Sequence, residues 1–407
     1  MAFQQGLSGL NSSSKALDVA GNNIANASTV GFKSSSSHFA DVYGASLQGG
    51  GGSQIGIGST LSAVMQQYTQ GNITSTNSPL DIAINGTGFF GMTQNGAVSY
   101  TRNGQFHLDK DGYIVNDQDR KLLGVMADAT GAIPGKPPTD TMKVDFVTGK
   151  PAATTTGAIT ANLDSRQSVP SVAPFDAANP LTYNSSTAMT VYDSLGNPHT
   201  LSYYFIKSAT PNQWAVRTTL DGGAPAAALT LTFSSSGALT SPTAPSTLPQ
   251  SFAVTTGAVS PLAFSIDVSN MSQFGSPFAV NDRTQNGFAP GNLARVAVAK
   301  DGTVQARYDN GQTRDIGQIA LFNFRNPNGL VSIGNNQWTE SADSGQPTPG
   351  KANTGIFGVL QASAVEESNV DLTAELVNLI VQQRNYQASA QSIKTQDQIL
   401  QTLVNIR

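Results

Sequence analysis

Two ladders of apolar residues, one at each end of the chain, set the expected architecture. Near the C-terminus Leu372, Leu379, Tyr386, Ile393 and Leu400 recur every seven residues, with Leu376, Ala390 and Val404 on the alternate rung, which Gln383 and Asp397 interrupt. Such a repeat is the seam of a helix that pairs with another helix. Asn369 or Asp371 can cap it, Glu375 suits its first turn, and no Gly or Pro follows Val359. A helix over residues 371 to 407 would span roughly 55 Å. At the other end Phe3, Leu10, Leu17 and Ile24 are also spaced by seven, with Leu7 on the adjoining rung. Residues 3 to 26 are therefore expected to form the partner helix. Gly6, Gly9 and Gly21 each cost about 1 kcal/mol relative to Ala in a helix, so this segment should need that partner to fold. Both flanks carry Asn, Gln, Ser and Thr rather than alternating Glu and Lys, which suits a surface facing other subunits or a polar channel.

Between the ladders the pattern shortens to strands and turns. Residues 28 to 70 read as a Gly/Ser-rich linker with little regular structure, in which the Gly49 to Gly52 run acts as a joint or a passive loop. From 71 to 146, the alternation of Leu80 to Ile84 and the turns Asn95-Gly96, Asn103-Gly104 and Asp111-Gly112 predict a β meander. Residues 147 to 284 are richer in Ala, Thr, Ser and Pro. There the hairpin Met189 to Tyr192 with Leu201 to Phe205, and the strands Trp214 to Thr219 and Leu229 to Phe233, predict an inserted β domain. Strands at Ala294 to Ala299, Val304 to Tyr308 and Gln318 to Phe324 then complete the first β domain over 285 to 363. The expected fold class is mixed. Long terminal helices form a coiled-coil-like polymerisation domain (1–27 and 364–407), and two nested all-β domains lie between them.

Composition narrows the function. Only 12% of the 407 residues are charged and the formal net charge is -4, which leaves no basic footprint for nucleic acid. Hydrophobic residues make up 39%, enough to bury a core despite 40 Gly and 20 Pro. There is no cysteine, hence no disulfide, thiolate metal site or thiol nucleophile. No apolar run approaches the roughly 20 residues that span a bilayer, so no membrane insertion is expected. No apolar stretch follows an early basic residue either, as a cleaved signal peptide would require. The histidines, His38, His107 and His199, lie in separate regions with no partner at metal-ligand spacing and read as surface residues. Around Asp109, Asp111 and Gly112 a calcium loop fails, because His107 and Gln118 fall where its strongest anchors belong. No catalytic, cofactor or metal site is expected, and the chain does not read as an enzyme.

One stretch at each end carries a family likeness. Leu17 to Asn26 (LDVAGNNIAN), followed by Gly31-Phe32-Lys33, resembles the N-terminal signature of the bacterial flagellar rod and hook proteins. Ser368 to Leu372, Glu375-Leu376-Val377 and Gln383 to Gln387 resemble the matching C-terminal signature, and Ile393 to Leu400 is most like the hook members. Tyr100 to Phe106 resembles a further shared stretch. The resemblance implies a structural subunit of the flagellar hook. Such a subunit self-associates into a curved, flexible helical tube that passes motor torque to the filament as a universal joint. It also implies contacts with distal rod, hook cap and hook-filament junction proteins. The flagellar type III export apparatus would deliver it outside the cell without a cleaved signal peptide. The expected polymerisation seam is Phe3, Leu7, Leu10, Leu17 and Ile24 with Leu372, Leu376, Leu379, Tyr386, Ile393 and Leu400. The alternatives are a distal rod subunit, stiff and straight, and a secreted β-rich adhesin, against which the paired ladders argue.

Overall fold

The computed structural model describes residues 2–42, 56–128, 131–144 and 149–405; the Gly49 to Gly52 run lies outside them. Among the described residues the chain is mostly β, with one α-helix near each end. It divides into two compact units. One gathers Met1–Asp145, Arg295–Arg307 and Thr313–Arg407, and the other Phe146–Ala294 with Tyr308–Gln312.

In the first unit, helix α1 (Ala2–Ala25) packs against helix α2 (Leu372–Asn405). Of the two possible caps, Asp371 serves: its Oδ1 accepts the backbone N–H groups of Thr373 (2.9 Å) and Ala374 (3.1 Å), which have no partner within the helix. Asn369 is an anchor instead. Its Oδ1 accepts the Ser34 N–H at 2.7 Å and its amide donates to the Gln67 carbonyl at 2.7 Å. Those contacts hold a hairpin that the sequence reading treated as linker. Strand β1 (Ser35–Val42) pairs antiparallel with β2 (Gly58–Gln66). The serine run shows no apolar alternation, so period gives no sign of a strand. The pairing is supported from outside by α1, whose Ser8 Oγ donates to the Ser59 carbonyl at 2.6 Å and accepts the Ser59 N–H at 2.7 Å.

The body of this unit follows its turn chemistry. Strands β3 (Ile73–Ser75) and β4 (Ile82–Asn85) pair with the late segments Ala364–Glu366 and Val359–Ala362, so chain that precedes α2 lies beside chain that follows the hairpin. Strand β5 (Phe89–Gln94) turns into β6 (Ala97–Thr101) through Asn95 and Gly96, both at positive φ (52° and 85°), as a two-residue hairpin turn requires. Lys121–Met126 and Thr313–Asn323 extend the sheet. Phe89, Tyr100, Phe322, Phe324 and Trp338 fill one side of it, with the Tyr100 and Phe324 rings 4.7 Å apart edge to face.

A buried carboxylate ties these parts together. Glu366, fully buried, accepts the Lys33 ammonium at 2.6 Å on Oε1 and the Arg102 guanidinium at 3.1 Å on Oε2. Its Oε1 also accepts the Gly71 N–H, and its backbone carbonyl accepts the Gly31 N–H at 2.8 Å. Gly31 sits at φ 71°, where a Cβ would lie 2.5 Å from the Asn103 nitrogen, so only glycine lets the chain pass here. Burial pulls Lys33 and Arg102 below their usual ranges, and the carboxylate between them pulls both back up.

The second unit is a sandwich. One sheet runs Ser185–Tyr192, Pro198–Lys207, Gln213–Leu220, Leu229–Phe233 and Leu239–Ser241, and the other is built around Thr156–Asp164 and Leu262–Asp267. Trp214, Tyr203, Phe205 and Val216 face Ile159, Leu163 and Ile266 in one core. Two buried polar links cross it: Trp214 Nε1 donates to Gln273 Oε1 at 2.8 Å, and Thr218 Oγ1 to Gln250 Oε1 at 2.6 Å.

Removing one member of the charged triad gives an asymmetric outcome. Glu366→Gln leaves two buried cations uncompensated and should destabilise the first unit by about 3–5 kcal/mol. Lys33→Met leaves Glu366 paired with Arg102 and should cost clearly less. Denaturant unfolding followed on the first unit's aromatic core is the measurement, and equal losses for both variants would contradict this account.

Candidate polymerisation interface

The two helices meet through small residues of α1 and only part of the α2 ladder. Gly6 lies against Ile393 and Gly9 against Ser389, where an added Cβ would come within 2.9 Å of a side-chain atom in each case. Further along, Asn23 donates to Glu375 Oε1 at 2.9 Å. Residue numbers rise along one helix as they fall along the other, so the pair is antiparallel. The fourteen positions from Gly9 to Asn23 match the fourteen from Ser389 back to Glu375, two whole heptads in register. Ser13, Ala16 and Ala20, all buried, continue the 3-4 rhythm of Gly6 and Gly9 to Asn23. On α2 the half-buried positions Glu375, Leu379, Gln382, Ser389, Ile393 and Gln396 keep the same rhythm. Leu379 and Ile393 belong to the expected ladder, as does half-buried Ala390 on its alternate rung, while Gln382 and Ser389 between them are polar.

The rest of the expected seam lies off the α2 contact, part of it exposed and part half-buried. On α1, Leu7, Leu10, Leu17 and Ile24 each follow a stripe residue by one position, which turns them about 100° from the α2 contact. Phe3 is 48% exposed and Leu7 45%, whereas Leu10, Leu17 and Ile24 are half-buried. On α2, Leu372, Leu376, Tyr386 and Leu400 are exposed. Leu372 and Leu376 join Val377, Ile380 and Val381, which the heptad reading did not single out, in an exposed apolar ridge over the first turns of α2. The described chain alone thus brings Leu379 and Ile393 to the helix pair and leaves most of the ladder open. Apolar patches of this kind on an otherwise polar surface mark interaction sites.

What the sequence reading missed is the small-residue stripe. Gly6 and Gly9 were counted only as helix-weakening, because propensity prices each glycine by itself. A search for Gly, Ala and Ser at 3-4 spacing finds the stripe directly. The hairpin completes the site: Asn23 reaches past α2 to the Ser35 backbone, donating to its carbonyl at 2.8 Å and accepting its N–H at 2.9 Å. Gln5 Nε2 donates to the Gly56 carbonyl at 2.7 Å. One face of α1 is therefore given to α2, one to the hairpin, and one is free.

Comparison with known proteins fixes the family. Residues 3–33 match the model described as flagella basal body rod protein, and residues 361–406 match that of the flagellar basal body rod FlgEFG protein C-terminal region. Between them, residues 83–159 match the flagellar hook protein FlgE/F/G D1 domain and 162–288 the flagellar basal body protein FlaE D2 domain. The flagellar hook protein FlgE of Escherichia coli strain K12 is 43% identical with full coverage of both chains. Those of Salmonella typhimurium and Borreliella burgdorferi are 42% and 31% identical over the whole of this chain and 100% and 99% of their own. The chain belongs to the flagellar hook protein FlgE family. A crystal structure of Helicobacter pylori flagellar hook protein FlgE2 shares the fold at a TM-score of 0.51 and 14% identity, covering 72% of this chain and all of that one. In this FlgE-family chain the rod-like matches fall on the two segments that carry the helices and their ladders.

The glycines of α1 provide a test of the helix contact. Gly21 has nothing within 4 Å of a built Cβ, so Gly21→Ala should gain up to about 1 kcal/mol of helix stability. Gly6→Leu offers the better helix former at a position with no room, and should separate α1 from α2. Helical circular dichroism on heating, with amide exchange along both helices, distinguishes them. If both substitutions stabilise the pair, the close contact is not where we place it.

Proposed function

We propose that this chain is the structural subunit of the bacterial flagellar hook, polymerising through its terminal helices into a curved, flexible tube that transmits torque as a universal joint. The carrying observation is the division of labour on the helices. Small residues of α1 close the pair within one chain with Leu379 and Ile393, and the exposed apolar residues Phe3 and Leu7 on α1 and Leu372, Leu376, Tyr386 and Leu400 on α2 are left for other copies. Phe3, Leu7, Leu10, Leu17 and Ile24 on one helix and Leu372, Leu376, Leu379, Tyr386, Ile393 and Leu400 on the other form the polymerisation seam of a coiled-coil-like domain. Contacts between unlike stripes on successive copies are heterologous and need not close into a ring, so they generate a helical assembly.

The domains nest in this reading. Along the sequence the terminal helices bracket a first β domain, which in turn brackets the inserted one. With only 12% of residues charged, the β domains meet their neighbours through weak polar contacts that exchange as the tube bends. The subunit leaves the cell through the flagellar type III export apparatus without a cleaved signal peptide. It then meets distal rod, cap and junction proteins at the ends of the tube. Electron microscopy of the purified protein after salting out tests the reading. Curved tubes are expected; straight tubes point to a rod subunit, and no tubes overturn polymerisation.

Leu376→Glu tests the seam. Leu376 is 45% exposed in the single chain, so the substitution should leave its melting nearly unchanged. In the tube the same change forfeits roughly 1.5–3 kcal/mol of burial per subunit and adds the cost of desolvating a carboxylate. Asn11→Asp, on the polar exposed side of α1, is the control. The yield of sedimentable polymer should collapse for the first variant and persist for the second, and equal yields would remove Leu376 from the interface.

A further inference from the structure

The second unit holds a charged cluster around one buried histidine. His199, in strand Pro198–Lys207, was expected at the surface, yet it is only 7% exposed. His38 and His107 are exposed. The His199 ring lies between two carboxylates. Its Nδ1 is 2.6 Å from Asp221 Oδ2, just past the end of strand Gln213–Leu220, and its Nε2 is 3.3 Å from Asp193 Oδ2, just past strand Ser185–Tyr192. Spacings of 6 and 22 residues have no helical or metal-ligand meaning, so the cluster is invisible until the strands pair.

The geometry decides the charge. Ionised carboxylates only accept hydrogen bonds, and a neutral imidazole has a single N–H. A neutral ring can satisfy one of the two carboxylates and must set a lone pair against the other. The imidazolium satisfies both. The remaining partners hold the carboxylates in place. Asp193, fully buried, accepts the Thr256 hydroxyl at 2.6 Å, the Asn197 side-chain amide at 2.9 Å and the backbone N–H groups of Leu195 and Asn197 at 2.9 Å. Asp221 accepts the Thr200 N–H at 2.7 Å. Thr256 is neutral, so the charged groups acting on the ring are the two carboxylates.

We propose that His199 is a pH-sensitive clasp that, as imidazolium, ties the Asp193–Asn197 turn and Thr256 to the end of the Gln213–Leu220 strand, and lets go when it loses its proton. Burial works against the charged ring, and the two carboxylates outweigh it, so the imidazolium persists above the usual histidine range. Asp193 and Asp221 are held below the usual carboxylate range: burial opposes their charge, and the bonds they accept, those from His199 included, overcome it. A histidine whose folded value is raised contributes stability fully present below its unfolded value of about 6.5 and lost as pH rises through the folded one. The acids contribute above their unfolded value of about 3.9 and lose it as pH falls through the folded one. The clasp therefore holds in mildly acidic surroundings and loosens as pH climbs past neutrality. Asp221 is half-exposed, with 52% of its side chain accessible, so the proton exchanges with solvent without unfolding.

The test uses the full chain, which carries three histidines, so a labelled imidazole titration is readily assigned. The His199 resonance should titrate above about 6.5, and the melting temperature of the second unit should fall as pH rises from about 6 to about 9. His199→Gln should remove that pH dependence. If that variant does not fold, Asp221→Asn at the half-exposed partner should keep the fold and lower the imidazole midpoint. A His199 midpoint at or below 6.5, or an unchanged midpoint in Asp221→Asn, overturns the clasp.

Discussion

The first unit depends on one buried carboxylate. Glu366 stands at the end of the last strand before α2, Lys33 follows α1 at the start of the hairpin, and Arg102 follows β6. Three segments far apart in sequence are thereby fixed around a single point from which both helices leave. Lys33 also donates to the Thr69 carbonyl at 2.7 Å and Arg102 to the Gly86 carbonyl at 2.8 Å, so the cations are held by backbone as well as by charge. One buried nitrogen, Arg102 Nε, is left without a protein partner. The single carboxylate is shared by two cationic side chains, both pulled down by burial. Its worth lies in geometry, since burying ion pairs gains little net free energy while breaking one is costly.

The helix contact is organised on the opposite principle. Gly, Ser and Ala bring backbones close but bury little apolar area, and each contributes far less than a buried Leu. The pair therefore relies on the hairpin and on the Asp371 cap for much of its definition. Large apolar residues at these contacts would hold the backbones apart and leave less apolar surface to offer a neighbour. Keeping them one position away on α1, and on the first turns of α2, lets the same two helices be complete enough to fold and incomplete enough to associate.

Much of the fold was legible from pattern, and the failures share a cause. Heptad spacing located both helices, and the capping residue was one of the two named. Asn95-Gly96 and Asp111-Gly112 turn hairpins, whereas Asn103-Gly104 leads from β6 to a strand, His107–Leu108, that pairs elsewhere. Which face of a helix meets its own chain was not legible, because hydrophobicity ranks Gly6, Ser13 and Ala16 below Leu7 and Leu17 while packing density favours the small residues. The β1–β2 hairpin was missed for a related reason. Its strands draw support from serine hydroxyls on α1, and a period-2 apolar search is blind to that. Glu366 and His199 were unreadable as a class, because a buried charge is recognisable only by partners that the topology delivers.

A chain with few charges can still be governed by them. Exposed pairs such as Lys15 with Asp18, more than half accessible on both sides, are worth little in water. The same groups inside a sheet edge or at a helix exit act at low dielectric, where each must be matched or neutralised. The Glu366 cluster meets that condition by sharing one carboxylate between two cationic side chains that also donate to backbone carbonyls, so it is a fixed joint. The His199 cluster meets it with the one side chain that titrates near neutrality, so its strength follows the proton. Each unit thus has a charged centre of its own, one fixed by charge and backbone together and one that follows the proton.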